Sequence, residues 1–520
     1  MMYSVRKNSF LGSYSARFLI ILTCFLAVGQ SNAQTGDDAL RFAQRMPGLT
    51  ASSMGMGGVG ISGVTDASAF FNNPAGLGWA TSSNVSGSLS ALSTLDDGGF
   101  VAPSSMSQFK NDVTAAGIGS VSYLFKVPTT RGSMVVGAGF NQVSTFSRSL
   151  VFSGENNANS LTDYLMPVSG EFELQEDDDG VFPLFDRTLS FIGFETYAID
   201  LDAVAVQNGD ANPFVPAVNA GTVRQAGYVD ESGRMMEVNI GGAMEVAKDV
   251  MVGLTVSAPY GTYSFARELT ENDFLNDNDG TNGTTDFKEL QFNEQVESEI
   301  VGVNLRLGVS AKVNASTKVG LTIETPTWYA VEDVYSTKLA TRFDNGDAFQ
   351  YGGDSDDAGT GTFDYSFVTP WKVGMGAEYA VAGAKISADV EWIDWSQMEL
   401  DSDGYSFFDE NFDITRGLDA VTNVRIGASY DVGKTTLRGG LAMYPDPHNE
   451  TSSNTSLDTD RVYVSAGATY KLADNMKIDF GWMAEAFEDE YAVYNEVNDA
   501  PIVTEDIIRS RVQIGFTFGF

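Results

Sequence analysis

The chain has 520 residues, and its 69 acidic against 31 basic side chains give a formal net charge of −38. A polyanion of that size repels phosphate backbones, which argues against a nucleic-acid partner. The single cysteine, Cys24, and the single histidine, His448, exclude a disulfide framework and a Cys/His zinc site. We expect neither a cofactor, nor a metal, nor a catalytic site. The 54 glycines and 12% aromatic residues are typical of many twisted strands rather than of a helical bundle.

The first 33 residues have the pattern of a cleaved signal peptide. Basic residues precede an apolar run at 18–29, and Ser31-Asn32-Ala33 supplies the small residues of a cleavage site before Gln34. A run of about 12 apolar residues is shorter than the ~20 that a membrane-spanning helix needs. Lipid attachment at Cys24 is disfavoured, because Thr23 precedes it and apolar residues follow it. The mature chain is then expected to contain no cysteine.

Residues 34–83 do not show the alternation of a strand. A short helix is expected at 38–46, where apolar residues recur near one face. Gly55, Gly57 and Gly60 match the dinucleotide pattern G-x-G-x-x-G, but no βαβ unit surrounds them. We interpret these glycines as sites of close backbone packing inside a lumen. Asn73-Pro74 is open to two interpretations, a turn into the first strand or a gating element of the backbone.

The rest of the chain alternates with a period of two. At the C-terminus, Phe516, Phe518 and Phe520 share one face, while Arg511 and Gln513 lie on the other. This pattern suits the wall of a membrane barrel, because lipid covers its outside and water fills its lumen. A soluble β-sandwich would instead expose these phenylalanines to water. Similar alternation occurs at 301–310, 384–392, 423–430 and 461–470.

Turn signals predict the number of strands. Six short turns and seven long polar loops imply an all-β, 14-stranded antiparallel transmembrane barrel at 84–520, with both chain ends on the short-turn side. This is the plan of a bacterial outer-membrane protein. The short turns are expected near 128–131, 248–249, 313–317, 382–384, 431–434 and 473–475. The long loops are expected at 96–111, 148–233, 267–294, 337–362, 401–419, 446–459 and 488–503.

The longest predicted loop, 148–233, is too long to be a plain connection. It contains the acidic run Glu176-Asp177-Asp178-Asp179 close to the apolar residues Phe182, Leu184 and Phe185. We expect short helices or an extra hairpin here, folded over the barrel mouth. Acidic runs at 277–280 and 354–357 lack the full ligand spacing of a calcium loop, so we interpret them as solvated loops.

The segment before the first strand resembles a known family. Asp66-Ala67-Ser68-Ala69 and Asn73-Pro74-Ala75-Gly76-Leu77 follow a glycine-rich stretch, and together they resemble the FadL/TodX-type outer-membrane transporters for hydrophobic compounds. Further similarities occur at Thr325-Pro326, 392–397 and 438–445. The resemblance implies a barrel plugged by an N-terminal hatch, residues 34–83. It also implies passive capture of long-chain fatty acids or aromatic hydrocarbons at the external face, and lateral release into the membrane beside a kinked strand.

Candidate site residues follow from this resemblance and from the apolar patches. The expected ligand contacts are Phe70, Phe71, Phe182, Leu184 and Phe185. The expected hatch and gating residues are Asn72, Asn73, Pro74, Ala75 and Gly76. The arginines expected in the lumen are Arg306, Arg425, Arg461 and Arg511. These arginines either pair with a substrate carboxylate or balance the acidic residues Asp389, Glu391 and Glu378 across the lumen.

Two other functions remain open. In the first alternative, the barrel is a docking or structural component of protein secretion or surface attachment and binds protein partners at its external loops. An outer-membrane hydrolase would need a base such as His448, which lies close to Asp446, but no serine motif accompanies that pair. The partners expected for the transporter are a hydrophobic small molecule and the lipids of the outer membrane.

Overall fold

The computed structural model describes residues 36–103, 105–177, 180–281, 284–354, 358–451, 460–494 and 497–520. The predicted signal peptide, including Cys24, lies outside these ranges, and so do Asp178, Asp179 and residues 355–357 of the predicted acidic runs. Among the described helices, none has both the length and the apolar character needed to span a membrane.

The strands form one large sheet and two small hairpins. In chain order the strands are β1 (Asn84–Ala102), β2 (Ser105–Val127), β3 (Met134–Asn156), β4 (Phe172–Asp177), β5 (Gly180–Phe185), β6 (Ile199–Leu201), β7 (Phe214–Pro216), β8 (Val223–Ala247), β9 (Val250–Asn272), β10 (Phe287–Lys312), β11 (Thr317–Glu324), β12 (Trp328–Phe343), β13 (Ala348–Gly352), β14 (Thr360–Val368), β15 (Lys372–Val381), β16 (Ala384–Asp394), β17 (Glu399–Asp401), β18 (Ala420–Val432), β19 (Thr435–Tyr444), β20 (Arg461–Ala473), β21 (Met476–Ala492) and β22 (Ile502–Gly519).

The helices are short and lie outside the large sheet. They are α1 (Gly36–Ala43), α2 (Ala51–Met54), α3 (Ala69–Asn72), α4 (Leu161–Tyr164), α5 (Thr188–Glu195), α6 (Ala203–Asn208) and α7 (Phe408–Gly417), with the 3-10 helices η1 (Pro74–Trp79) and η2 (Trp395–Gln397). The helix predicted at 38–46 is observed as α1 and ends earlier. Beyond the helix, Met46 N donates a hydrogen bond to Val143 O of the barrel wall, at 3.0 Å.

The large sheet closes into a barrel of fourteen antiparallel staves, where a stave is one crossing of the wall. Closure is made by β22 and β1, which pair from Asn84 opposite Gly519 to Val101 opposite Ile502. Three adjacent staves each consist of two strands with a break between them: β11 with β12, β14 with β15, and β16 with β17. The predicted 14-stranded antiparallel barrel is confirmed.

Several strands extend further at the long-loop end of the barrel than predicted. β1 and β2 remain paired up to Ala102 opposite Ser105, so the loop predicted at 96–111 is wrong. β3 and β8 pair up to Asn156 opposite Val223, so the connection predicted at 148–233 is reduced to 157–222. Backbone hydrogen bonds hold a ladder together whatever its side chains are. Polar side chains in these segments therefore indicate exposure to water. They do not indicate where the strands end.

Side chains on the wall alternate between lipid and lumen as predicted. On β22, Ile514, Phe516 and Phe518 are about half exposed on the outer surface, whereas Arg511 and Gln513 are buried inside. The same division holds along β10, where Val301, Val303, Leu305, Leu307 and Val309 are exposed and Asn304, Arg306 and Ser310 are fully buried.

The described residues between 157 and 222 fold into a cap on the outer ends of the barrel strands. As expected for this loop, they form short helices and extra hairpins, in which β4 pairs with β5 and β6 with β7. The cap buries apolar side chains against inward-facing residues of the wall. This cluster includes Leu165, Ile192, Ile199 and Phe214 from the cap and Phe152, Phe287 and Phe292 from the strands.

Candidate functional site

The segment from α2 to η1 lies against the inner wall at a level where many strands carry glycine. An added Cβ at Gly440 would lie 2.4 Å from Gly57 N, and one at Gly320 would lie 1.8 Å from Ile61 O. Eight staves present such a glycine, and we call this set the glycine seat. It consists of Gly253, Gly308, Gly320, Gly376, Gly427, Gly440, Gly467 and Gly481.

The hatch candidates Asn73 and Pro74 are bound tightly to the seat. Asn73 Nδ2 donates to Ile61 O at 2.7 Å and to Val309 O at 2.9 Å, and Asn73 Oδ1 accepts from Ala75 N at 3.0 Å. The side chain therefore caps η1 and fixes the segment to β10 at the same time. Asn73 has an ordinary extended backbone, with φ −164°, so no left-handed kink occurs there. Asn72, Ala75 and Gly76 adjoin it in α3 and η1.

The five predicted ligand contacts lie in two separate places. Phe70 is fully buried and Phe71 nearly so, both beside the wall, with the guanidinium of Arg306 5.2 Å from the centre of the Phe71 ring. The other three residues, Phe182, Leu184 and Phe185, lie partly buried on β5 in the cap. There the Phe185 ring packs at 5.4 Å on that of Phe214. Only Phe71 of the five lines the cavity described below.

A buried ion network joins the N-terminal segment to the barrel wall. Arg306 bonds to Glu237 and to Glu324, each at 2.6 Å. Arg45, which follows α1, contacts the same two carboxylates at 3.5 and 2.7 Å. Sequence analysis found Arg306 but missed Arg45, Glu237 and Glu324. The inward positions of both glutamates on their strands were the available signal, but nothing in the sequence indicated that Arg45 would reach them.

The other lumen arginines have different partners. Arg425 lies 3.7 Å from Glu391, one of the acidic residues expected across the lumen. Arg511 donates to Gly48 O at 3.0 Å and so holds the N-terminal segment by its backbone. Arg461 lies over the Phe487 ring at 4.7 Å. The remaining acidic candidates are also paired within the protein: Asp389 accepts from Gly60 N and Ile61 N, and Glu378 contacts Lys318 and Lys385.

A cavity of about 1150 Å³ lies between the N-terminal segment and the external loops. Its lining mixes aromatic rings with charged groups, and α1 contributes one side of it. Phe42 packs edge-on against Phe146 and Tyr263 within this lining, with ring centres 5.8 and 5.5 Å apart. Near the outer end, His448 Nε2 contacts Asp37 of α1 at 2.9 Å and His448 Nδ1 contacts Asp446 at 2.7 Å. The predicted external pair thus holds the start of the segment.

The wall has a gap beside this cavity, between β2 and β3. These strands pair only from Val127 opposite Met134 to Ser120 opposite Asn141. Beyond this point β3 contains an extra residue, Val143, and continues in register with β8 alone. Near the top, the side chain of Ser105 bonds to the backbone of Glu155, so the gap is bounded at both ends.

Strand β3, which borders the gap, also lines the cavity and contacts the N-terminal segment. The cavity lining includes residues 144–147 of β3, directly after the bulge. Val143 O accepts the hydrogen bond from Met46 N, so the bulge is also a contact point of the segment that carries Arg45. A small molecule in the cavity therefore lies next to an interruption of the wall that faces lipid.

The comparisons with known proteins agree with this architecture. The model of the family described as Outer membrane protein transport protein (OMPP1/FadL/TodX) matches residues 218–512. Among curated proteins, 150 residues are 29% identical to Alkane uptake protein A of Marinobacter nauticus, covering 26% of this chain and 33% of that protein. A stretch of 81 residues is 36% identical to Outer membrane protein P1 of Haemophilus influenzae, covering 15% and 17% of the two chains. The chain thus matches about a third or less of the length of these relatives.

Solved structures share the fold over almost the whole chain. A FadL homologue of Pseudomonas aeruginosa has a TM-score of 0.51 at 11% identity and covers 92% of this chain and 99% of its own. The toluene transporter TodX of P. putida has a TM-score of 0.50 at 14% identity, with 91% and 98% covered. With the family model matching more than half of its residues, the chain belongs to the OMPP1/FadL/TodX family of outer membrane transport proteins.

Proposed function

We propose that the protein takes up hydrophobic small molecules passively across the outer membrane. The ligand is captured at the external face, occupies the cavity and leaves sideways into the membrane through the gap between β2 and β3. The observation that carries this proposal is the junction of cavity and gap at residues 144–147. An apolar solute gains nothing from a water-filled pore, so a lateral route keeps it out of water.

The substrate class is proposed from chemistry and from the names of relatives. The P. putida protein is called a toluene transporter and the M. nauticus protein an alkane uptake protein, and both names refer to apolar compounds. We assign hydrocarbons or long-chain fatty acids to this chain on that basis. Within the cavity, Phe71 and the Phe42–Phe146–Tyr263 group offer aromatic contacts. The cap residues Phe182, Leu184 and Phe185 would meet the ligand earlier, at the external face.

We assign the role of a hatch to residues 34–83, preceded by a signal peptide at 1–33. The support for the hatch is the close contact of the segment with eight staves and its bond to the bulge at Val143. Gating then consists of a shift of Asn72, Asn73, Pro74, Ala75 and Gly76 relative to the wall. Such a shift breaks the hydrogen bonds of Asn73 and alters the contact that the segment makes with the gap.

Mass spectrometry of co-purified small molecules tests the substrate class. The protein is isolated from its native outer membrane in mild detergent, and an outer-membrane barrel of unrelated function is prepared in the same way as the control. We expect enrichment of hydrocarbons or fatty acids over the control. Equal amounts in both samples, with polypeptides retained only by this protein, would contradict the transporter proposal and support the docking alternative.

A further inference from the structure

The barrel strand that follows α7 is short, so the helix lies close to the membrane surface. The stave formed by β16 and β17 ends at Asp401, and β18 begins at Ala420, with α7 between them. β18 has 13 residues. At a rise of roughly 2.6 Å along the membrane normal for a tilted strand, it reaches about 30 Å from the short-turn end. The apolar band of such barrels is ~25 Å tall, so α7, which ends shortly before β18 begins, lies near its outer edge.

One side of α7 is buried and fixed to the barrel. Ile414 and Gly417 are buried, and Ile414 packs directly against Gly36 at the start of α1. Asn411 exchanges two hydrogen bonds of 2.8 Å with the backbone of Leu400 in β17, so the rotation of the helix about its axis is fixed. The helix cannot turn its exposed side inward without breaking these contacts.

The exposed side of α7 carries two aromatic rings. Phe408 is 73% exposed and Phe412 is 49% exposed, and they lie one helical turn apart on the same face. Neighbouring staves carry half-exposed tryptophans close to their breaks, namely Trp328, Trp371 and Trp392. Aromatic residues in a row near the ends of the lipid-facing strands are the mark of a membrane interface. α7 contacts η2, which follows Trp392, so the two phenylalanines continue this row.

The charges of α7 are arranged to suit a lipid surface. Asp409 and Asp413 each follow one of the phenylalanines by one residue, so they lie to one side of the aromatic face of the helix. The Tyr405 hydroxyl donates a hydrogen bond to Glu410 at 2.6 Å. The guanidinium of Arg416 lies over the Phe412 ring at 5.1 Å, so the basic group borders the apolar face. The planar guanidinium group is suited to bidentate pairing with phosphate groups.

We propose that α7 is an interfacial helix, with Phe408 and Phe412 inserted into the outer leaflet of the membrane and Arg416 among the lipid phosphates. The partner is the lipid surface itself, and the argument for it is the continuity of this face with the lipid-facing surface of the barrel. Through Ile414 the helix also links the outer leaflet to α1, which lines the cavity.

Spin labels on single cysteines test the proposal directly. The single cysteine of the sequence, Cys24, is replaced by serine, and labels are placed at Phe408→Cys and Phe412→Cys. Ile426→Cys, on the outer surface of β18, is the lipid-facing reference, and Asp409→Cys on the same helix is the aqueous control. The variants are reconstituted into vesicles of phosphatidylethanolamine and lipopolysaccharide. Collisions with oxygen and with a water-soluble nickel chelate are then compared, after the folded barrel is verified by its heat-dependent gel mobility.

The expected result is that labels at 408 and 412 collide with oxygen more than with nickel, as the label at 426 does, whereas the label at 409 favours nickel. Labels at 408 and 412 that favour nickel would show that α7 lies in water. Labels shielded from both reagents would show that protein covers this face. Either of these two results would overturn the proposal.

Discussion

Close packing at single residues determines where the N-terminal segment sits. A Cβ at Gly308 would lie 1.8 Å from Asn73 Oδ1, so the amide of Asn73 occupies the space that any larger residue would need. At Gly440, a Cβ would meet the backbone of Met56 and Gly57 at 2.4 Å. Backbone cannot rotate away as a long side chain can. A methyl group at either glycine therefore displaces the segment or the strand.

Substitution in the glycine seat is expected to destabilise the protein. A glycine in the same strand but outside the seat provides a matched control. Gly440→Ala should lower the stability by about 1–3 kcal/mol, the usual cost of overpacking. Gly439→Ala should be nearly neutral, because its Cβ would have no atom closer than 3.9 Å. Thermal unfolding in detergent, followed by circular dichroism, measures both. Equal melting temperatures for the two variants would show that the seat is not tightly packed.

The contacts of His448 make the attachment of α1 dependent on pH. Burial lowers the pKa of His448, but its hydrogen bonds with Asp37 and Asp446 outweigh this and raise the pKa from 6.5 to about 10. Because the folded pKa is the higher one, the stabilisation is complete below pH 6.5 and is lost as the pH rises to about 10. The difference in melting temperature between wild type and His448→Ala should therefore shrink over this range. A difference that stays constant with pH would refute the ion pairing.

At the scale of elements, the bulge in β3 sets the position of the gap. Val143 is the extra residue between Gln142 and Ser144, which pair with consecutive residues of β8. Deleting Val143 should restore a regular ladder, let β3 pair further with β2 and reduce uptake of a radiolabelled hydrophobic substrate several-fold. Deleting Val246, the extra residue of another bulge near a short turn, is the control and should leave uptake unchanged. Equal uptake by both variants would remove the gap from the transport route.

The sequence predicted the wall better than the features that interrupt it. Alternation along β22 and β10 assigned lipid and lumen faces correctly, because every second side chain meets the same environment. Nothing comparable marks Val143, since an apolar residue occurs at both bulged and regular positions of a strand. The contact between Arg45 and Glu237 joins residues that are far apart in the chain, and only the closed barrel brings them together. The ends of β1 and β2 were misplaced because polar composition does not stop a ladder.

At the scale of the whole molecule, the barrel is expected to fold without the N-terminal segment but not to transport selectively without it. The barrel is closed by its own strand pairs, from β1 to β22, without any contribution from the segment. A variant lacking residues 34–80 should therefore fold, but it should lose selective uptake and admit small polar solutes. Liposome swelling with sugars and uptake of a labelled hydrophobic substrate measure the two properties. Unchanged uptake of the hydrophobic substrate after the deletion would exclude the segment from the mechanism.

The glycine seat also has a consequence for the order of assembly. The segment precedes every stave in the chain, yet its seat extends to Gly481 on β21, close to the last strand to be made. The seat is complete only after β21 has joined the wall, so the full set of contacts between the segment and the wall forms late in barrel assembly. Full docking of the segment is therefore expected near the end of barrel assembly, close to the closure of the wall by β22.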